Sequence, residues 1–179
     1  MRKLSNLQAL EELLTTGSLT EVHVEAPINF RDIVESDMFG TSIEIKRCKL
    51  ASIEAPCVQF TTHLTIEDCH IGVADFYAAY FLAGLAITGC RFTSRVLFQH
   101  GGHNKDPATV LITDSTFEDF VNFCDCWYEG PFELRRCTFK RGTNLLETGP
   151  GRIFEVQFDV TPIIEETTGE LDVDGDDAA

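Results

Sequence analysis

Residues 64–71 read LTIEDCHI, and 21 positions later residues 85–92 read LAITGCRF. One step in the other direction, Ile43 opens IEIKRCKL, with Cys48 and Leu50 where Cys69 and Ile71 stand. The pattern apolar-x-apolar-x-x-Cys/Ser-x-apolar returns in VLITDSTF from Val110 and in FELRRCTF from Phe132. A repeat of this length restricts the fold more than any other property of the chain, because a single unit cannot bury its apolar face and must stack on its neighbours.

Inside the repeat that begins at Leu64, apolar or small residues come in pairs: Leu64/Ile66, Cys69/Ile71, Ala74/Phe76 and Ala79/Phe81. Two inward residues flanking one outward residue is the alternation of a strand, and the gap between pairs marks a corner. Four short faces therefore close one turn of the chain. The preceding unit obeys the same grid with Ile43/Ile45, Cys48/Leu50, Ile53/Ala55 and Val58/Phe60. Val22/Val24 and Phe39 fall one repeat step before Ile43/Ile45 and Phe60, which predicts an earlier, less regular unit. In the later units the third face moves to Val96/Phe98, Val121/Phe123 and Thr143/Leu145, and the step lengthens, first from Leu85 to Val110 and then, by less, from Val110 to Phe132.

Five-residue units with a small residue two before a central Leu or Phe, as in CKLAS, ADFYA, CRFTS, STFED and CTFKR, resemble those of the pentapeptide-repeat proteins over residues 43–141. The likeness is closest over 43–92. It implies an all-β fold, a right-handed parallel β-helix or β-solenoid. With the grid, that fold makes about seven coils from Val22 to about Val160, each rising ~4.8 Å along a rod about 34 Å long.

The open ends of such a core need covers. At the front, Leu4, Leu7, Leu10, Leu13 and Leu14 predict one apolar face of a short capping helix, with Ser5 as N-cap and Gly17 as its stop. RIFEVQFDV, residues 152–160, predicts a last strand. The chain then divides into a capping helix and linker at 1–21, a solenoid at 22–160 and an acidic, flexible tail at 161–179.

Four of the seven cysteines, Cys48, Cys69, Cys90 and Cys137, share one repeat position that Ser115 also occupies. A disulfide framework does not exchange a partner for serine, so these are expected to be reduced core residues of a cytoplasmic protein. Glu11 and Glu12 interrupt the N-terminal apolar run before it reaches signal-peptide length. The longest uncharged stretch, 76–90, is too short to span a bilayer. Formal net charge is −15, but eight of the 29 acidic residues lie from Asp159 onward, where there is no Lys or Arg. No basic stripe is visible along the sequence, which argues against direct nucleic-acid binding.

Chemistry is concentrated in two insertions, QHGGHNKDP after Phe98 and CDCWYEGP after Phe123. Neighbouring coils bring them together, so His100, His103, Cys124 and Cys126 could supply four zinc ligands. Without a metal, the same corner offers Trp127 and Tyr128 as anchors for a partner. No carboxylate pair repeats on one face in the way glycoside chemistry needs, and no Ser or Cys nucleophile stands beside a base. The expected function is a non-enzymatic scaffold or protein-interaction module with a protein partner. The resemblance implies an alternative, an acidic DNA mimic that inhibits a DNA-binding enzyme such as a topoisomerase. A carbohydrate-active β-helix protein is the third reading.

Overall fold

The repeat step appears as parallel strand pairing. In the computed structural model, which describes residues 1–34, 36–146 and 155–174, Ile43–Lys46 pairs with Leu64–Glu67 and that strand with Leu85–Thr88, each one regular repeat step on. Val110–Thr113 and Phe132–Arg135 continue the row at the longer steps. Ser18–Thr20 and Ile163–Glu165 complete a seven-stranded parallel sheet. A ten-stranded sheet centres on Lys49–Glu54 and His70–Asp75, and a three-stranded sheet joins Met38–Phe39, Gln59–Phe60 and Tyr80–Phe81. Parallel neighbours cannot be joined by a tight hairpin, so the chain visits the other sheets before returning one rung on. Strands in parallel sheets dominate the described residues, with one α-helix, Asn6–Thr16. No helix among them is long and apolar enough to cross a membrane.

Alternate residues of each strand enter one continuous apolar cluster. The pairs Leu64/Ile66, Cys69/Ile71, Ala74/Phe76 and Ala79/Phe81 are all buried, as are their counterparts in the preceding repeat. Phenylalanines at one repeat position stack face to face: Phe92 on Phe117 at 4.9 Å and Phe117 on Phe139 at 4.7 Å. Those separations match the strand spacing, so the register itself sets the stacking.

Each corner of the seven-stranded sheet bends at a residue with positive φ: Glu21, Arg47, Asp68, Gly89, Asp114, Arg136 and Glu166. Left-handed backbone is unfavourable for non-glycine residues, and the next side chain stabilises the bend. Cys48, Cys69, Cys90 and Cys137 each donate a thiol hydrogen bond to the carbonyl two residues back, and Ser115 does the same through its hydroxyl at 2.8 Å. All five are buried and the cysteines are free thiols.

The ends depart from the sequence reading. Ser5 and Gln8 form a reciprocal capping box and Gly17 closes the helix in the left-handed conformation, as expected. Only Ala9, Leu10 and Leu13 are buried, however; Leu7 and Leu14, on the far side of Leu10, are 70% and 49% exposed. Leu4 belongs to a strand, Arg2–Leu4, paired with Val22–Val24. Val24 pairs with Leu50 and Leu19 with Ile45, so Val22/Val24 take the Cys48/Leu50 position and not that of Ile43/Ile45. The turn Phe30–Asp32 and the chain after it absorb the extra residues, and register returns at Phe39, opposite Phe60. The sheet thus begins at Ser18, inside the segment expected to be linker.

At the other end the boundary at 160 is also moved. Ile163–Glu165 pairs with Glu133, Leu134 and Arg135, Thr168 bridges Thr138, and Val173 N donates to Thr143 O at 3.1 Å. Residues 163–174, expected in the flexible tail, form a further rung; residues 175–179 lie outside the described residues. Of the expected last strand, 152–154 lie outside them too, and Gln157–Phe158 pairs with Trp127–Tyr128 in a separate two-stranded sheet.

Candidate partner-binding surface

The two insertions meet as neighbouring rungs. His100 N donates to Cys124 O at 2.9 Å and His103 N to Trp127 O at 2.6 Å, both histidines having positive φ. Gly102 bridges Tyr80 on one side and Trp127 on the other. Its φ is +100°, and a Cβ there would meet Trp127 O at 2.5 Å, so this approach requires glycine. Asn104 is buried and fastens the loop, its Nδ2 donating to Ala108 O at 2.7 Å and Pro131 O at 2.9 Å.

The side chains form two aromatic and imidazole groups, one of Tyr80, His103 and Trp127 and one of Tyr77 and His100. The His103 ring lies 4.2 Å from Tyr80 and 5.5 Å from Trp127 between centroids, and His100 meets Tyr77 edge-on at 5.2 Å. Carboxylates orient these groups: Asp125 lies 2.8 Å from His100 Nδ1, Glu129 lies 3.2 Å from His103 Nδ1, and Trp127 Nε1 donates to Asp159 at 2.9 Å. Trp127 remains 40% exposed and Tyr77 41% exposed, with exposed Met38 on the same three-stranded face as Tyr80. Apolar rings rimmed by hydrogen-bonding groups suit contact with another molecule.

The proposed zinc ligands do not converge. Cys126 is buried, its thiol donates to Phe98 O at 3.0 Å, and burial pushes that thiol up to about 12. A zinc ligand must be a thiolate facing the metal, whereas Cys126 faces the core. His100 and His103 engage separate carboxylates, and no group of three or more His, Cys, Asp or Glu side chains among the described residues is placed to hold a metal. Tyr128 is likewise misassigned as a partner anchor. It is 1% exposed, packed against Phe132 at 4.6 Å and Phe158 at 5.5 Å, and burial raises its hydroxyl well above the ordinary range. Adjacent residues of a strand face opposite ways, so Trp127 and Tyr128 cannot both be anchors. Tyr77, Tyr80, Glu129 and Asp159, which sequence reasoning left out, complete the surface. The bridges from Tyr80 to Gly102 and from Gly102 to Trp127, one repeat step apart each, are the signal that connects Tyr80 with Trp127.

Elsewhere, several outward carboxylates are paired with bases on adjacent rungs. Glu21 meets Arg47 at 3.0 Å, Glu67 meets Lys46 at 3.3 Å, Asp114 meets Arg136 at 2.6 Å and Asp119 meets Arg141 at 2.9 Å. The guanidinium of Arg136 lowers the Asp114 carboxyl to about 2. Comparison of the chain with known protein families, with curated proteins and with solved structures finds no match.

Proposed function

We propose that the chain is a non-enzymatic right-handed β-solenoid of about seven coils whose exposed aromatic surface binds a protein partner. The parallel registers support the solenoid, and crossovers between parallel strands of one sheet are almost always right-handed. The observation that carries the binding role is the half-exposed Trp127, oriented by Asp159 and in contact through His103 with Tyr80, with exposed Tyr77 against His100 on the same insertion. Large rings on a rigid support lose little entropy on contact and dominate binding energy where they are desolvated. The reading places the protein in the cytoplasm, where seven free thiols persist. DNA mimicry is less well supported, because Lys46, Arg47, Arg136 and Arg141 interrupt the faces that would have to imitate a phosphate backbone and pair with Glu67, Glu21, Asp114 and Asp119.

The test is quantitative affinity purification from extract of the source cells, with wild type and Tyr77→Ala/Trp127→Ala as baits of matched thermal stability. Partner recovery is expected to fall with the double variant. Equal recovery by both baits would refute the assignment of this surface.

A further inference from the structure

A second feature lies on the ten-stranded sheet, and its argument is independent of the aromatic surface. The pairings Lys3 to His23, His23 to Lys49, Lys49 to His70 and His70 to Arg91 place five basic or imidazole side chains on consecutive rungs. All stand on the outward side of inward residues such as Leu50, Ile71 and Phe92. Adjacent members are one strand spacing apart, about 4.8 Å. This row occurs in a protein whose formal net charge is −15.

The carboxylates in close ion pairs with the row stand toward its two ends. Glu25 lies 3.0 Å from Lys3 and 3.8 Å from His23, while Glu118 lies 2.8 Å from Arg91 and 2.6 Å from Lys140. Lys49 and His70 form no ion pair within 4.0 Å among the described residues, although Lys49 acts at longer range on Glu25, and both are exposed. Beside them the next outward positions are Glu25, Ala51, Gly72 and Thr93, and the lack of bulk at the last three opens a groove of about 260 Å³. The floor is fixed by backbone packing: a Cβ on Gly72 would meet Ala51 O at 2.2 Å. Lys49 and the imidazoles of His23 and His70 thus line one side of a small groove that has Ala51, Gly72 and Thr93 along its floor and Glu25 at one end.

We propose that this groove binds a small phosphate monoester, with the phosphate between Lys49 and His70 and the organic portion over Ala51 and Gly72. Two unpaired donors on adjacent rungs match a dianion with three terminal oxygens better than a planar monocarboxylate, and charge-assisted hydrogen bonds to such oxygens are the stronger kind. Glu25 closes one end of the groove to a longer anion by like-charge repulsion, and Glu118, paired with Arg91 beyond the other end, opposes its extension there. The size of the groove limits the ligand to a small molecule.

Phenyl phosphate is the probe, titrated into isotope-labelled full chain and followed by amide NMR. Saturable shifts are expected at Lys49, Ala51, His70 and Gly72. Lys49→Ala should weaken binding about tenfold, and Ala51→Glu, at an exposed position that leaves the core intact, should abolish it. Lys105→Ala, on the insertion after Phe98 and away from the groove, should bind as wild type. Benzoate should bind more weakly than phenyl phosphate, and a phosphoserine peptide no more tightly. The proposal is overturned if shifts do not saturate or map elsewhere, if Lys49→Ala and folded Ala51→Glu bind as wild type, if benzoate matches phenyl phosphate, or if the peptide binds more tightly.

Discussion

Replacing Ser115 tests whether the corner ladder contributes to stability through hydrogen bonds or merely fills space. Ser115 Oγ donates to Thr113 O at 2.8 Å and accepts from Cys90 N at 3.1 Å. In Ser115→Ala the Thr113 carbonyl keeps a partner, since Gly89 N also donates to it at 3.1 Å. Cys90 N–H does not, and it is buried. The loss is therefore that of one orphaned buried donor, about 1–3 kcal/mol. At about 2–4 °C per kcal/mol for a chain of this size, the melting temperature should fall by about 2–12 °C. Ser115→Cys should behave differently, because Cys69 Sγ already accepts from Cys48 N at 3.3 Å in the equivalent place. A thiol at 115 can donate to Thr113 O and accept from Cys90 N, and stability should lie within about 1 kcal/mol of wild type. Urea denaturation followed by circular dichroism measures both. Wild-type stability for Ser115→Ala, or equal loss in Ser115→Cys, would refute the hydrogen-bonding account.

Two other outcomes follow from the geometry. Because Arg136 makes the folded Asp114 carboxyl more acidic than in the unfolded chain, the pair's contribution is present above the ordinary carboxylate range and is lost as pH falls toward about 2; Arg136→Ala should move the Asp114 midpoint upward in a carboxyl NMR titration, and an unmoved midpoint would contradict the assigned cause. Ending the chain at residue 162 removes the strand Ile163–Glu165 and the partners of Arg136 N, Phe139 N and Thr143 N, so the melting temperature should drop by about 5 °C or more; calorimetry showing no change would mean that the last rung adds nothing to stability.

The inward grid was legible wherever the repeat runs without insertion, because burial depends only on the alternation of short strands. Pairs from Ile43/Ile45 to Val96/Phe98 are buried as read. The same grid, carried one step past Val121/Phe123, lands on Cys126/Tyr128 and marks both as inward. Their residue types suggested a ligand and an anchor, and chemistry overrode periodicity where periodicity was the better guide. The final rung was obscured for a different reason. Ile164 stands opposite Leu134 at the longest step of the row, and in place of cysteine the ladder carries Thr167, whose hydroxyl accepts from Cys137 N at 3.4 Å. A high density of acidic residues there resembled a solvated tail, although strands with one inward side chain in two need little apolar content.

The outward rows explain why a function on such a fold is hard to read along the chain. Inward positions must satisfy both the rung above and the rung below, so they repeat; outward positions meet their neighbours only across a strand gap and are free to differ. Lys3, His23, Lys49, His70 and Arg91 each stand a full coil apart in sequence, so they appear as scattered charges and not as a basic run. Register alone brings them together. Tyr80 and Trp127 are joined in the same way through Gly102. In both cases the residue that permits the surface is a glycine: Gly102 lets two rungs approach beneath the aromatic rings, and Gly72 keeps the floor beside Lys49 and His70 low. The binding proposed for both surfaces therefore rests on an outward row that loses bulk between two side-chain-bearing rungs, which is a property of the register and not of any contiguous motif.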